Sequence, residues 1–378
     1  MKKEMKMSRK VWVKRMIWVI GTAVLILVMG CGIFFGAAAV TGRAEIEPFY
    51  DENGDVLEGS VAERCRIQVG DRENGLIIRG KSVDNPVLLF ISGGPGVPQY
   101  WLNEYYPNKL EEDFTVCWWD WAGEGLSYDS SIKKEDITTK RLEADASQVA
   151  DYLKERFGKD KVYLMAHSGG SKLGFRLAQD DPEDFYCYFA MGQAVSKDVK
   201  RYQAGYDFVK KTFEEQGNKK GLKRLESLIT IENGQPIAKK PERIGSDWEG
   251  VLLMAGCATT REMRSDAREI FFPQMLSKCY TFGEKIDYWR GKMLNRDTPY
   301  DDDDISYKDE HPVQIPVCFI SGKYDYTCPV NMVEKLYENL DAPEKELYIF
   351  EDSAHSPLWE ENDQVLEVMR EKVEKLGQ

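Results

Sequence analysis

Residues 161–174 read KVYLMAHSGGSKLG: a run of strand formers closes on a histidine, a serine and two glycines, after which a helical pattern begins. A strand, a sharp turn and a helix in this order can present a serine as a nucleophile, because small neighbours let the backbone turn and leave the hydroxyl exposed. The usual pattern is G-x-S-x-G. Here Ala166-His167-Ser168-Gly169-Gly170 carries alanine in first place, a residue small enough to keep the packing. The competing reading makes Ser168 an ordinary helix N-cap. The stretch alone does not separate the two, so other parts of the chain must decide.

A serine hydroxyl is a weak nucleophile until a base takes its proton. The chain holds three histidines, His167, His311 and His355. His167 adjoins Ser168 and would point away from it, and His311 sits beside Pro312 and reads as structural. On a sheet of this kind the order is serine, acid, histidine. LYIFEDSAHSPLW places His355 in a loop directly after the last expected strand, and VCFISGKYDYTCP places Asp325 just beyond an earlier one. Singly, these could be a loop histidine and an Asx-turn residue. Together with Ser168 they occupy three C-terminal strand ends, where open α/β sheets bind their ligands. Asp352 is a weaker acid candidate, being too close in sequence to His355 to reach across a site. Acyl transfer also needs donors for an oxyanion. The backbone N–H groups of Gly169 and of Gly94, in the glycine-rich turn Ser92–Gly96, are the candidates. A phosphate loop is disfavoured there because no G-K-[ST] follows.

The surrounding pattern is α/β. PVLLFIS, FTVCWWDW, KVYLMA, FYCYFAMG and PVCFISG are nearly continuous apolar runs, as expected of strands covered on both faces of a mostly parallel sheet. RLEADASQVADYLKERFG between them has helical spacing and stops at a capping glycine. Alternation breaks near Gln193 and resumes after Pro312, which predicts a helical insertion over 194–312 within a core of 61–193 and 313–378. The acidic run YDDDDISYKDE near its exit reads as a solvated hinge and lacks the ligand spacing of an EF-hand. Cys117, Cys187 and Cys318 fall in apolar runs and read as core packing, and no metal-like cysteine spacing occurs.

These motifs resemble the proline iminopeptidase branch of the α/β-hydrolase superfamily, which carries H-G-G-P-G, D-Q-R-G-x-G-x-S, G-H-S-W-G, G-x-x-D and a late histidine. SGGPG (92–96), DWAGEGLS (120–127), AHSGG (166–170), GKYD (322–325) and AHSP (354–357) match in order and separation over about residues 60–375. The resemblance implies an α/β-hydrolase fold with a helical cap, and a Ser168–His355–Asp325 triad needing no cofactor or metal. Besides Ala166, four further departures surround the triad positions: Ser92 for histidine, Trp121 and Ala122 for glutamine and arginine, and Gly169 for tryptophan. Removal of an N-terminal proline therefore does not follow from the match. In that family acidic residues of the cap receive the substrate amine; Glu214, Glu215 and Glu226 are available for this.

The formal net charge of -13 disfavours a nucleic-acid partner. Residues 1–15 run against that balance, with seven basic residues and one acidic. Residues 16–42 carry no charge and exceed the ~20 residues a bilayer-spanning helix needs. The positive flank predicts a signal anchor with a cytoplasmic N-terminus and everything after Arg43 outside, joined to the core by a linker over 43–60. A cleaved signal, a lipoprotein-like site at LVMGC, or a buried core helix are the weaker readings. The expected protein is a membrane-anchored serine hydrolase of small peptides or amides. An esterase or lipase-like enzyme is the second reading, and a binding protein on the same scaffold the third.

Overall fold

The computed structural model describes residues 9–94, 96–196, 200–240, 244–305 and 312–377. His311 and residues 306–310 of the acidic run lie outside them, as do residues 1–8.

One sheet organises the chain. Its strands are β1 (Val61–Val69), β2 (Arg72–Gly80), β3 (Val87–Ile91), β4 (Thr115–Asp120), β5 (Val162–His167), β6 (Phe185–Met191), β9 (Val317–Gly322) and β10 (Lys345–Phe350). They are ordered β1-β2-β4-β3-β5-β6-β9-β10, with β2 antiparallel to both neighbours and every other pair from β4 onward parallel. The mostly parallel sheet expected from the apolar runs is therefore present.

Those runs are unbroken because each strand buries both faces. Leu88 and Phe90 of β3 belong to one core cluster and Leu89 and Ile91 to the other, following the two-residue alternation of a strand. The first cluster is closed by α14 (Asn362–Lys375) through Val365, Leu366 and Met369, with α13 (Pro357–Glu360) adding Leu358. The second is closed by α4 (Thr139–Phe157) through Leu142, Val149 and Leu153, by α5 (Ser171–Asp180) through Leu173 and Leu177, and by α12 (Val330–Asn339) through Val333 and Leu336. Two short helices, α2 (Leu102–Tyr105) and α3 (Leu110–Asp113), lie between β3 and β4.

Between β6 and β9 run α6 (Lys200–Glu215), α7 (Lys219–Leu228), α8 (Ile244–Ala255), α9 (Phe272–Leu276), α10 (Phe282–Leu294) and α11 (Pro299–Asp302). One part of this segment is not helical. The helical reading of GLKRLESLITI stops at Leu228, where β7 (Ile229–Glu232) pairs antiparallel with β8 (Gln235–Ala238). The reason is the dipeptide Asn233-Gly234, with φ of 51° and 78°, which supplies the left-handed pair of a tight hairpin turn.

At the N-terminus, α1 (Arg9–Thr41) contains the stretch Trp12–Thr41, within which an 18-residue window reaches a mean hydropathy of 2.5 and is almost wholly exposed. Its length and composition suit a membrane span and equally a signal sequence. Among the described residues no disulfide forms, and Cys117, Cys187 and Cys318 are buried in the core.

Candidate active site

The order of the sheet reverses at β3, whose neighbours are β4 on one side and β5 on the other. Connections leaving adjacent strands in opposite directions open a crevice at their C-terminal ends, which is where α/β sheets bind ligands. The loops after β3 and β5 flank that crevice and carry Gly94 and Ser168.

Ser168 follows the last residue of β5 directly, with φ of +54°. A non-glycine residue in the left-handed region costs on the order of 1–3 kcal/mol. No capping bond offsets this: neither the short 3₁₀ turn Ser168–Gly170 nor α5 has a side-chain N-cap. Ser168 is partly exposed, and its hydroxyl has no hydrogen-bond partner among the described residues. The N-cap reading of Ser168 therefore fails.

Asp325 lies three residues beyond β9 and is buried. Its Oδ1 accepts the N–H groups of Thr327 at 2.9 Å and Cys328 at 2.8 Å, which fixes the carboxylate on its own turn. Oδ2 is thereby aimed at Nδ1 of His355, 2.7 Å away. Because a carboxylate only accepts, Nδ1 carries the proton and Nε2 keeps its lone pair. That Nε2 is buried and unpartnered. Burial opposes charging of the imidazole, but the charge and hydrogen bond of Asp325, with Glu249 and Glu360 behind them, raise its pKa above 6.5. The imidazole and carboxylate are thus brought together, while Ser168 forms no hydrogen bond to His355. Asp352 is exposed and has no contact with this ring.

A second histidine links the pieces. His167 is buried, and its Nε2 donates to the carbonyl oxygen of His355 at 2.8 Å. Its Nδ1 then accepts from Gln99 Nε2 at 2.8 Å, and Gln99 Oε1 accepts the N–H of Gly93, also at 2.8 Å. Burial, then the neighbouring charge of His355, push the His167 pKa well below its usual value. One histidine is held neutral while its neighbour is made more basic. The chain of bonds runs from the loop after β3, through the end of β5, to the loop after β10. Sequence reading did not show what His167 holds.

Backbone packing is equally close. A Cβ on Gly169 would stand 2.1 Å from the carbonyl oxygen of Gly94, so bare backbone is required where the two turns meet. Gly192, at the end of β6, has φ of +55°, and a Cβ there would lie 2.9 Å from the His355 ring. The N–H of Gly94 has no acceptor among the described residues. It and Gly169 are both partly exposed, as oxyanion donors would need to be.

The segment between β6 and β9 reaches these loops: Ala258 accepts the N–H of His355 at 3.0 Å, and Thr327 Oγ1 donates to Glu249 of α8 at 2.8 Å. Glu214, Glu215 and Glu226 are exposed instead. Beyond Asp325, Glu249 and Glu360 are carboxylates whose fields reach the imidazole, and sequence reading missed both. In the DWAGEGLS loop Asp120 and Glu124 are buried. Burial raises Asp120 to about 7, and burial with the neighbouring charge of Asp120 lifts Glu124 well above its ordinary value, which favours the neutral form of each. Among the described residues no group of three His, Cys, Asp or Glu side chains is placed to hold a metal.

The α/β hydrolase fold family matches residues 86–362, which is most of the chain. The protein belongs to that family. Among related α/β hydrolases, a probable aminopeptidase of Bacillus subtilis is 32% identical over 306 residues, covering 80% of this chain and 93% of the relative. A proline iminopeptidase of Saccharolobus solfataricus is 25% identical over 300 residues, covering 77% of this chain and 86% of its own. The crystal structure of a Mycobacterium smegmatis proline iminopeptidase superposes with a TM-score of 0.57 at 16% identity, covering 83% of this α/β hydrolase and 98% of that chain. The chain is a hydrolase, as its sequence led one to expect, and lies near aminopeptidase-named relatives.

Proposed function

We propose that this protein is a serine hydrolase acting through an acyl-enzyme on small peptides or amides that carry a free amine. Ser168 is the nucleophile, His355 the general base and then acid, and Asp325 the group that fixes and charges the imidazole. The observation that carries the reading is Ser168 itself. Its strained, uncapped conformation has no structural benefit, and strain of this kind persists where it serves a reaction.

In the first half-reaction Oγ of Ser168 attacks the acyl carbon while Nε2 of His355 takes its proton. The oxyanion draws on the N–H groups of Gly94 and Gly169. The protonated imidazole returns the proton to the leaving amine, and water then repeats the cycle on the acyl-enzyme. Glu249, whose field already favours a cation at His355, suits the ammonium of a substrate N-terminus. The helices between β6 and β9 act as a cap over the core of 61–193 and 313–378. Residues 16–42 serve as an uncleaved anchor, with the N-terminus cytoplasmic and the catalytic part outside.

A fluorophosphonate probe tests the nucleophile: labelling should appear in the wild type and vanish in Ser168→Ala. A panel of aminoacyl amides and short-chain esters tests the substrate. Ester turnover without aminopeptidase activity would replace the peptidase reading with the esterase one, which a position beside lipid would also suit. No labelling and no turnover would leave a binding protein.

A further inference from the structure

The apolar N-terminal helix is fastened to the segment between β6 and β9. Lys285 of α10 is buried, and its Nζ donates to the carbonyl oxygen of Ala38 at 2.8 Å and to Oγ1 of Thr41 at 3.0 Å. Both acceptors lie in the last turn of α1, where carbonyls lack helical partners and a cation suits the helix dipole. The Phe34 ring meets Phe272 edge-on with centroids 5.0 Å apart, and Phe35 meets Phe282 at 6.4 Å. Just past the helix, the N–H of Glu45 bonds the carbonyl of Lys278 at 3.2 Å.

Beside this junction is an open groove of about 590 Å³, lined by Phe35, Phe271, Met275, Ile286, Trp289 and Met293 among others. That volume falls within the roughly 300–1,000 Å³ of small-ligand sites. Its polar members are Tyr128 and Arg290; the latter also pairs with Asp287 at 3.0 Å, and the Nζ of neighbouring Lys292 sits 5.2 Å from the Trp289 ring centre. Ser168, Asp325 and His355 do not line it. One wall is α1 itself. Val28 and Val24, a turn or more before Phe35 at helical spacing, are 61% and 53% exposed on the same stripe. Met293, at 60% exposure, continues the apolar surface on the other wall. A mostly apolar groove that shares Phe35 with the exposed stripe of a spanning helix is placed to open to the bilayer from the side. Aromatic rings and cations near its end match the composition of a membrane interface.

We propose that this groove takes an acyl chain of an anionic phospholipid from the leaflet in which α1 ends, with the phosphate toward Arg290 and Lys292. The proposal rests on the reading of α1 as an anchor and is independent of the chemistry of Ser168.

The test uses the full chain reconstituted in vesicles of phosphatidylcholine and phosphatidylglycerol, including a phosphatidylglycerol with a diazirine in its acyl chain. After flotation and irradiation, peptide mapping should place adducts on Met275, Ile286 or Met293. Met293→Asp, which puts a charge on an already exposed position, should lower cap labelling about ten-fold, since a carboxylate is poorly tolerated beside hydrocarbon. Met293→Leu should retain it. Adducts confined to residues 16–33 of a floating protein would overturn the groove while leaving the anchor standing. A protein that stays at the bottom of the gradient would overturn the anchor and the groove's lipid supply together. The readout involves no turnover, so the loss of the serine mechanism would not be mistaken for either result.

Discussion

The imidazole of His167 and the backbone carbonyl of His355 are joined by a 2.8 Å hydrogen bond, so the residue next to the nucleophile holds the loop that carries the base. With Gln99 on its other nitrogen, His167 ties together three loops that lie far apart along the chain. His167→Ala should lower kcat by up to about 100-fold, as expected of an error near 1 Å in a reacting geometry, with a smaller change in KM. Gln99→Leu should do the same more weakly. Steady-state kinetics on both, with fluorophosphonate labelling rates, distinguishes this from simple unfolding: a purely structural role would lower active fraction and leave kcat per labelled site unchanged.

The hydrogen bond and charge of Asp325 raise His355 above its ordinary pKa of 6.5. A general base must be neutral, so kcat/KM should rise with pH through a midpoint above that value. Asp325→Asn should move the midpoint down and cost about 10⁴-fold in kcat, the effect seen when a triad loses its acid. The same shift has a stability consequence. A raised folded-state pKa contributes stability that is fully present below 6.5 and disappears as pH climbs through the folded value. The wild type should therefore lose its margin over Asp325→Asn on the alkaline side, as followed by thermal melts across pH.

Ser168 holds a left-handed backbone that glycine adopts freely. Ser168→Gly should abolish turnover while stabilising the fold by roughly 1 kcal/mol, the lower end of the strain cost. Ser168→Ala should abolish turnover without that gain. Denaturant unfolding of the three proteins checks the ordering, and a glycine variant no more stable than the alanine one would remove strain from the account.

Gly169→Ala must displace the Gly94 carbonyl, since a Cβ would lie 2.1 Å from it. The oxyanion loop should shift and kcat fall by about 10²–10³-fold, comparable to losing one donor, with the global melting temperature changed little. Unaltered kcat in a folded Gly169→Ala protein would move the oxyanion site away from this pair. The contact also bears on the departure from a tryptophan-bearing elbow. In this chain the loop after β3 occupies the space a side chain there would need.

What could be read from the sequence follows the physics of each signal. Strands buried on both faces leave contiguous apolar runs, and the residues just beyond them are few, so Ser168, Asp325 and His355 stood out by position. The hairpin of β7 and β8 was lost in a helical reading of 221–231, although Asn233-Gly234 marked its turn. Partnerships between distant segments leave no local trace. Nothing near His167 announces Gln99 or the His355 carbonyl, and the helical surroundings of Glu249 resemble those of Glu214 and Glu215, which face solvent. Lys285 likewise looks like any charged helix residue until the end of α1 is set against it.

Gly192 gives the imidazole a floor of naked main chain. Any larger residue there would press on the Cε1–Nδ1 edge of the ring, the same edge that is tethered to Asp325, and so would disturb that hydrogen bond and tilt the imidazole. Variation tolerated elsewhere at the ends of these strands should thus be barred at this position. A selection for retained turnover over a randomised codon 192 would return glycine alone, even among clones whose melting temperatures are indistinguishable from the parent.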